Sequence, residues 1–294
     1  MKSSVILIAN PAAQKASHKK VAAASSYLQS NGYHAEAVFT KKRGDAEDFA
    51  RAALSRKPSL VVACGGDGTF NEVANALAGS DVPMAILPLG TTNVLARELR
   101  VAPDVRSAME KATHGNATRV SLGKITFTGP RLPFSRYFIL MAGMGFDATA
   151  VRGTSESLKK STGQAAYIYS GIKSLMMFRP SLLTFSVEGR TYEGYSGVAG
   201  NAALYGGPFS VTPHADLQSP FLYLCIFKSR KRMSILRYVF GVVTGTHLRY
   251  RDVEYLKAER IDVGGRADVQ IDGDYVGETP ATIEVVPDAL TIMC

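Results

Sequence analysis

The sequence has no tryptophan, only three cysteines, and no apolar run near the ~18 residues that a bilayer-spanning helix needs. Cys64, Cys225 and Cys294 are odd in number, far apart and in no metal-like spacing, so neither a disulfide framework nor a zinc knuckle is indicated and a reduced compartment is. The first apolar stretch, at 5–9, is too short for a signal peptide and runs straight into Asn10-Pro11. Internal repeats and low-complexity linkers are missing as well. With 46% hydrophobic and 20% charged residues among 294, disordered and fibrous classes are excluded. A soluble, cytoplasmic chain long enough for two domains is expected.

Acidic residues are scarce where basic ones are not. The net charge is +9, and residues 125–251 carry 15 Lys/Arg against 5 Asp/Glu, whereas residues 252–294 carry 3 against 10. Such a basic surface suits partners made of phosphate, whether nucleotide, lipid headgroup or nucleic acid, although a generally soluble basic surface is the plainer alternative. Aromatic interleaving is slight and no nucleic-acid motif occurs, which disfavours nucleic acid. His214 and His247 have no Cys or His at metal spacing, and Ser155 and Ser157 lack the G-x-S-x-G context of a serine nucleophile.

What is present divides into two textures. Short aliphatic runs at 4–9, 35–39, 60–64 and 84–87 alternate with helical patterns at 19–30, 45–54, 70–78, 94–99 and 104–112. That alternation predicts an α/β domain with a parallel sheet covered by helices on both faces. Beyond it lie one helical pattern at 164–177 and many period-2 runs, at 182–187, 191–199, 222–227, 253–261, 269–271 and 282–286. These predict a β-sandwich or barrel. The boundary is placed between 124 and 125, giving domains 1–124 and 125–294.

The strongest local signal is Leu60-Val61-Val62-Ala63-Cys64-Gly65-Gly66-Asp67-Gly68-Thr69-Phe70-Asn71-Glu72. A buried strand enters three glycines and an aspartate, and Thr69 with Glu72 is expected to form a capping box that opens a helix. Glycines at such a turn let backbone N–H groups approach an anion, and the helix start favours negative charge. The pattern is neither the dinucleotide fingerprint nor the P-loop, and no lysine follows it. An acidic residue inside a phosphate cradle makes sense facing a cation such as Mg²⁺ or a hydroxyl to be activated; the alternative is a tight turn in which Asp67 merely caps. Ile86-Leu87-Pro88-Leu89-Gly90-Thr91-Thr92-Asn93 repeats the strand–glycine–helix arrangement, and Thr91, Thr92 and Asn93 serve equally as caps or as phosphate and ribose partners. Two such loops at strand carboxyl ends build a crevice of the kind in which open α/β sheets bind nucleotides. Near the end, Asp272-Gly273 between apolar alternations is a hairpin signal, and a tight turn is a rigid way to present a carboxylate.

Together, Gly65-Gly66-Asp67-Gly68-Thr69-Phe70-Asn71-Glu72-Val73 and Pro88-Leu89-Gly90-Thr91-Thr92-Asn93 resemble the nucleotide-binding signature of the diacylglycerol kinase and sphingosine kinase-like lipid kinases. The resemblance extends over nearly the whole chain. It takes in Asn10-Pro11, Thr40 with Gly44-Asp45-Ala46, Gly143-x-Gly145-Phe146-Asp147, Lys160-x-x-Gly163-x-x-Ala166-Tyr167, Asn201 with Gly206-Gly207-Pro208, and Gln270-Ile271-Asp272-Gly273-Asp274. It implies a phosphofructokinase and NAD kinase-like N-terminal domain, a β-sandwich C-terminal domain, ATP with Mg²⁺, and transfer of the γ-phosphate to a hydroxyl of diacylglycerol or a sphingoid lipid. By the same resemblance the nucleotide site comprises Asn10, Thr40, Gly65, Gly66, Asp67, Gly68, Thr69, Asn71, Gly90, Thr91, Thr92 and Asn93. Asp67 would act on the metal side, holding Mg²⁺ through water, and Asp272 or Asp274 would be the base on the acceptor hydroxyl. The chain departs from the bacterial pattern at Val94, Ser121 and Ser219-Pro220, where acidic residues are usual, and at Asp274, where Glu is; a structural Mg²⁺ is thereby placed in doubt.

Between 228 and 251 fall seven basic residues and no acidic one, around Ile235-Leu236-x-Tyr238-Val239-Phe240-x-Val242-Val243. This fits a helix that meets an anionic membrane surface, and it fits equally a core-packing helix with a solvated basic edge. The expected partner is a lipid substrate at a membrane surface, with peripheral association, no transmembrane segment and no nucleic acid; a homodimer is compatible with the sequence. Two rival readings stay open: a catalytically impaired nucleotide- or lipid-binding regulator, and an NAD kinase-like enzyme with a soluble acceptor.

Overall fold

In the computed structural model, residues 3–13, 17–128, 134–146, 148 and 180–294 are described. Asp147, Ser155, Ser157, Lys160, Gly163, Ala166, Tyr167 and the expected helix at 164–177 lie outside them. The chain divides into two compact units, one formed by Met1–Leu122 with Val286–Cys294 and the other by Gly123–Val285.

The first unit contains β1 (Ser4–Ala9), α1 (Ser17–Ser30), β2 (His34–Phe39), α2 (Asp45–Leu54), β3 (Leu60–Gly65), α3 (Asp67–Leu77), β4 (Met84–Pro88), α4 (Val94–Glu98) and α5 (Val105–His114). The strands lie in the order β2-β1-β3-β4 and all pair in parallel. Val5 to Ala9 and Leu60 to Gly65 are buried without alternation, the burial expected of strands covered on both faces. Leu7, Ile8, Leu28, Phe70, Leu77 and Ile86 fill the space between sheet and helices. At the start of α5, the Asp104 carboxylate accepts from the Ser107 N–H at 2.8 Å. The C-terminal segment joins this unit because Ile292 pairs in parallel with Met84, and Asn116 and Cys294 exchange backbone N–H···O bonds of 2.9 and 3.0 Å.

The second unit begins in β5 (Ala117–Phe127). It continues with β6 (Phe134–Phe138), β7 (Met141–Met144), β8 (Leu183–Val187), β9 (Arg190–Gly194), β10 (Ser196–Gly200), β11 (Leu222–Phe227), α6 (Arg232–Thr244), β12 (Val253–Ala258), β13 (Arg260–Gly264), β14 (Asp268–Ile271), β15 (Asp274–Glu278) and β16 (Ala281–Met293). One sheet runs β12-β11-β10-β7-β14-β15, all antiparallel; the other pairs β16, β13, β8 and β9, and β5 with β6. Phe138, Phe185, Leu224, Ile226, Ile261 and Ile271 interdigitate in one apolar core, so the choice between sandwich and barrel resolves to a sandwich.

Two expected strands each prove to be two. The run at 191–199 breaks at Tyr195, whose N–H donates to Phe227 O at 2.9 Å, and its halves β9 and β10 belong to different sheets. The run at 253–261 likewise breaks at Glu259 into β12 and β13. Alternation continues through such corners because both sheets turn the same kind of face to one core, so the pattern is blind to the change of partner. Among the described residues no helix is long and apolar enough to cross a membrane.

Gly123 marks the tightest contact in this core: a Cβ there would lie 1.9 Å from Cζ of the fully buried Phe138. Gly123→Ala is therefore expected to lower stability by about 1–3 kcal/mol through overpacking. Urea unfolding against the wild type checks it, and an unchanged midpoint would show that Phe138 has room to move.

Candidate functional site

The order β2-β1-β3-β4 reverses direction between β1 and β3, and open α/β sheets take ligands outside the strand carboxyl ends at such a point. Asn10 leaves β1 there, its N–H donating to Cys64 O at 2.9 Å and its Oδ1 accepting from Ala12 N at 2.9 Å. Thr40, largely buried, ends β2 with its N–H on Ala9 O at 2.9 Å.

Gly65 ends β3 and Gly66 to Thr69 follow it, while Gly90 to Asn93 follow the adjacent β4, with Gly65 opposite Pro88. The loops meet backbone to backbone. Leu89 N and Gly90 N both donate to Gly65 O, at 2.7 and 3.0 Å. A Cβ on Gly90 would lie 2.7 Å from Gly66 Cα, so no larger residue fits. Asp67 fastens the same pair of loops: its Oδ2 accepts from Val94 N and its Oδ1 from Leu95 N, both at 3.0 Å. The carboxylate thus caps α4, a helix other than its own. Burial pushes its carboxyl above the usual carboxylate range, outweighing the backbone amide bonds that oppose the shift.

Glu72 acts in the same way on a third helix. Its Oε1 accepts from Gly44 N at 3.0 Å and its Oε2 from Ala46 N at 3.2 Å, which fixes the start of α2. The expected Thr69–Glu72 capping box is therefore corrected. The N-cap is Gly66, so Thr69 already lies inside α3 and Glu72 sits too far along it to reach back. Gly66 offers no side-chain cap to α3, whose first amides, those of Asp67, Gly68 and Thr69, lie at the carboxyl edge of the sheet.

Asn93 adopts the left-handed conformation, φ 46°, and its Nδ2 donates to Gly90 O at 2.8 Å. Its Oδ1 is buried with no hydrogen-bond partner. A buried acceptor left unmade costs about 1–3 kcal/mol, which favours a donor from a ligand at this point. Thr91 and Thr92 are exposed beside it. Thr69 and Asn71 are buried, Asn71 accepting from Asn75 Nδ2 at 3.0 Å within α3.

The acceptor-side candidates lie in the second unit. Asp272 and Gly273, with φ of 47° and 85°, form the tight turn between β14 and β15. The Asp272 carboxylate accepts three backbone bonds, from Ile139 N at 2.8 Å and from Leu140 N and Met141 N at 2.9 Å. Asn201, fully buried, holds the same segment from its carbonyls: its N–H donates to Leu140 O and its Nδ2 to Ile139 O, each at 2.8 Å. Gln270 Oε1 accepts from Gly273 N at 2.8 Å. Asp274 opens β15, half-buried. Asn201 and Asp272 each stand in a recognisable motif, but their convergence on Ile139–Met141 has no signal in either stretch alone.

Among the described residues no group of three or more His, Cys, Asp or Glu side chains could hold a metal ion. Val94 and Ser121 are buried, and Ser219 Oγ accepts from Phe221 N at 3.3 Å, closing a turn. His247 is buried with Nε2 within 2.9 Å of Val211 O.

Residues 4–125 match the family described as diacylglycerol kinase catalytic domain, and residues 141–294 the YegS C-terminal NAD kinase beta sandwich-like domain. Diacylglycerol kinases of Staphylococcus aureus strains RF122 and MRSA252 are each 29% identical over 286 residues, covering 94% of this chain and 87% of theirs. Among solved structures, a candidate diacylglycerol kinase from Bacillus anthracis strain Sterne superposes with a TM-score of 0.81 at 23% identity, covering 99% of this chain and 95% of that one. Yeast NADH kinase complexed with NADH shares the fold more distantly, with a TM-score of 0.53 at 10% identity and coverage of 99% and 83%.

Asp67→Ala strands two amides and is expected to cost about 1–3 kcal/mol. The pH dependence has a definite sign. Because burial raises the Asp67 carboxyl, the folded state holds its proton more tightly than the unfolded state, so ionising it subtracts stability as pH rises from the ordinary Asp range through the raised value. Asp67→Asn lacks this group, so the wild type should lose stability relative to that variant as pH climbs through this window. Denaturant titrations at pH 4 and pH 7 test it, and a difference of opposite slope contradicts the assignment.

Proposed function

Because the chain belongs to the diacylglycerol kinase family of lipid kinases, phosphotransferases with an alcohol as acceptor, we propose that it transfers the γ-phosphate of ATP to a hydroxyl of diacylglycerol or a related sphingoid lipid. The observation that carries the reading is the pair of glycine turns after β3 and β4, drawn together by Asp67 beside the reversal of strand order.

The first unit supplies the nucleotide side. The amides at the start of α3, where the N-cap is Gly66 and makes no side-chain cap, suit phosphate oxygens, and the helix start adds favourable charge. Asn93 Oδ1, buried without a partner, suits a ligand donor such as a ribose hydroxyl. Asn10, Thr40, Thr91 and Thr92 contribute further polar groups from the ends of β1, β2 and β4. Bound Mg²⁺, arriving on the phosphates, would neutralise charge developing on the transferred group. A carboxylate has about four acceptor positions, so Asp67, with two taken by amides, retains capacity to hold the ion's water shell.

On the acceptor side, Asp274 is assigned as the base and Asp272 as its positioning residue. Three amides occupy the Asp272 carboxylate and tie the turn to Ile139–Met141, which fixes where the carboxylate two residues on is presented. Asp274 takes the proton of the lipid hydroxyl as that oxygen bonds to the γ-phosphorus. The bond from the γ-phosphorus to the bridging oxygen breaks, and ADP leaves with its electron pair. The lipid is met at a cytoplasmic membrane surface.

The test is transfer of labelled γ-phosphate from Mg-ATP to diacylglycerol, sphingosine, ceramide and phosphatidylglycerol in mixed micelles, with NAD as soluble control. One phosphorylated lipid is expected. Asp274→Asn should lower kcat/KM by about 100-fold or more, the share of general-base catalysis, with ATP affinity preserved. ATP binding without transfer to any lipid overturns the reading, and phosphorylated NAD would replace it with a soluble acceptor.

A further inference from the structure

The helix α6 presents one of its faces to solvent, with no partner among the described residues. Ile235, Tyr238 and Gly241 face inward, the Tyr238 ring packing 4.9 Å from that of Phe227 and Gly241 abutting Tyr250. On the outer side Met233 is 75% exposed and Phe240 65%, with Leu236, Val239 and Val243 about half exposed. The spacing 233, 236, 240, 243 is that of a single helical stripe, so these side chains form one continuous apolar strip. Exposed apolar surface of this kind marks a contact with another apolar phase.

The surrounding charge identifies that phase. Of the seven cations between 228 and 251, Lys228 is paired with Glu254 and Arg237 with Asp252. Arg230, Lys231, Arg232, Arg249 and Arg251 are exposed, and no carboxylate among the described residues pairs with them. An apolar stripe flanked by uncompensated cations, with no acidic residue between 228 and 251, is complementary to an anionic lipid surface: the apolar side chains enter the acyl boundary while the cations stay at the headgroups. A second copy of the chain would bring the same cations face to face, which charge repulsion opposes.

The helix is also fixed rigidly enough to act as a docking face. Asp252 accepts from Arg237 Nη2 and from Tyr238 Oη, each at 2.6 Å, and Ser229 N donates to Tyr238 Oη at 3.2 Å. These bonds secure both the basic approach and the inner side of α6, and leave the stripe outside them.

We propose that the exposed face of α6, Met233 to Val243 with its basic approach, is the surface by which this protein docks on an anionic bilayer. The proposal rests on the lipid-kinase reading only for why the chain must reach a membrane, since docking is measured without turnover. The probe is sedimentation with vesicles of phosphatidylcholine and phosphatidylglycerol, against vesicles of phosphatidylcholine alone. The wild type should partition onto the anionic vesicles and release at high salt. Met233→Asp with Phe240→Asp should weaken binding at least ~10-fold, and Lys231→Gln with Arg232→Gln several-fold, because both the acyl insertion and the headgroup attraction contribute. All four residues are exposed, so circular dichroism and unfolding midpoints should match the wild type, and light scattering should give the same mass for each protein. Equal vesicle binding by the aspartate variant overturns the proposal, as does a wild-type dimer that this variant splits. Phosphorylation of micellar lipid without vesicle binding overturns the docking surface alone. Vesicle binding through α6 with no lipid phosphorylated leaves the surface standing and removes the kinase reading.

Discussion

Every α-helix begins with amide N–H groups that its own hydrogen bonds cannot satisfy, and in the parallel-sheet unit the starts of two helices are satisfied from a third. Asp67 and Glu72, both on α3, accept from the first amides of α4 and α2 respectively. The loops that end β2, β3 and β4 are thereby set against one another through one helix. Their glycines follow from this. Once Asp67 draws the start of α4 inward, Gly90 must lie against Gly66, and a side chain on Gly90 would collide with the opposite backbone. The helix that provides both caps has glycine at its own N-cap, which offers no side chain to its first amides.

The sandwich unit repeats the device with a different geometry. Asp272 and Asn201, far apart in sequence, grip the N–H and C=O groups of Ile139–Met141, and the Asp272-Gly273 turn is held against that segment. A carboxylate bonded to three amides has its acceptor capacity largely committed, which separates the work of two nearby aspartates. In the proposed reaction one positions, and Asp274, two residues on, takes the proton. The same division explains why Asp67 is better described as a fastener of loops than as a metal ligand in its own right. Burial disfavours its charge, and a cation brought in by phosphates would restore that charge.

How far this could be read from residues depended on range. The four parallel strands, their helices and both glycine turns were legible because the signals are local: aliphatic runs bounded by Gly and small polar residues. The Asp272-Gly273 hairpin was legible for the same reason. Corners were not, since alternation passes unchanged through Tyr195 and Glu259 as the chain moves between sheets. Nor was the partner of Glu72. Thr69 and Glu72 have capping-box spacing, but the helix starts before Thr69, and the amides that Glu72 meets lie 26 and 28 residues earlier in the chain. Side chain-to-backbone bonds of that range leave no periodic trace.

The departures from the bacterial pattern can be weighed against the same geometry. At position 94 the group on which Asp67 depends is a backbone N–H, which any residue but proline supplies, and the Val94 side chain is turned into the core, 5% exposed. An aspartate there would place a second carboxylate beside one whose charge burial already disfavours. Valine keeps the cap and spares that repulsion, at the loss of an acidic group that could share a hydrated ion. Ser121, buried in β5, gives up charge, and Ser219 does so while closing a turn through its hydroxyl. In the proposed reaction, charge neutralisation at the phosphates would then fall more heavily on the helix start of α3 and on an ion carried by the nucleotide. The loops that Asp67 and Glu72 hold together are untouched by any of these substitutions.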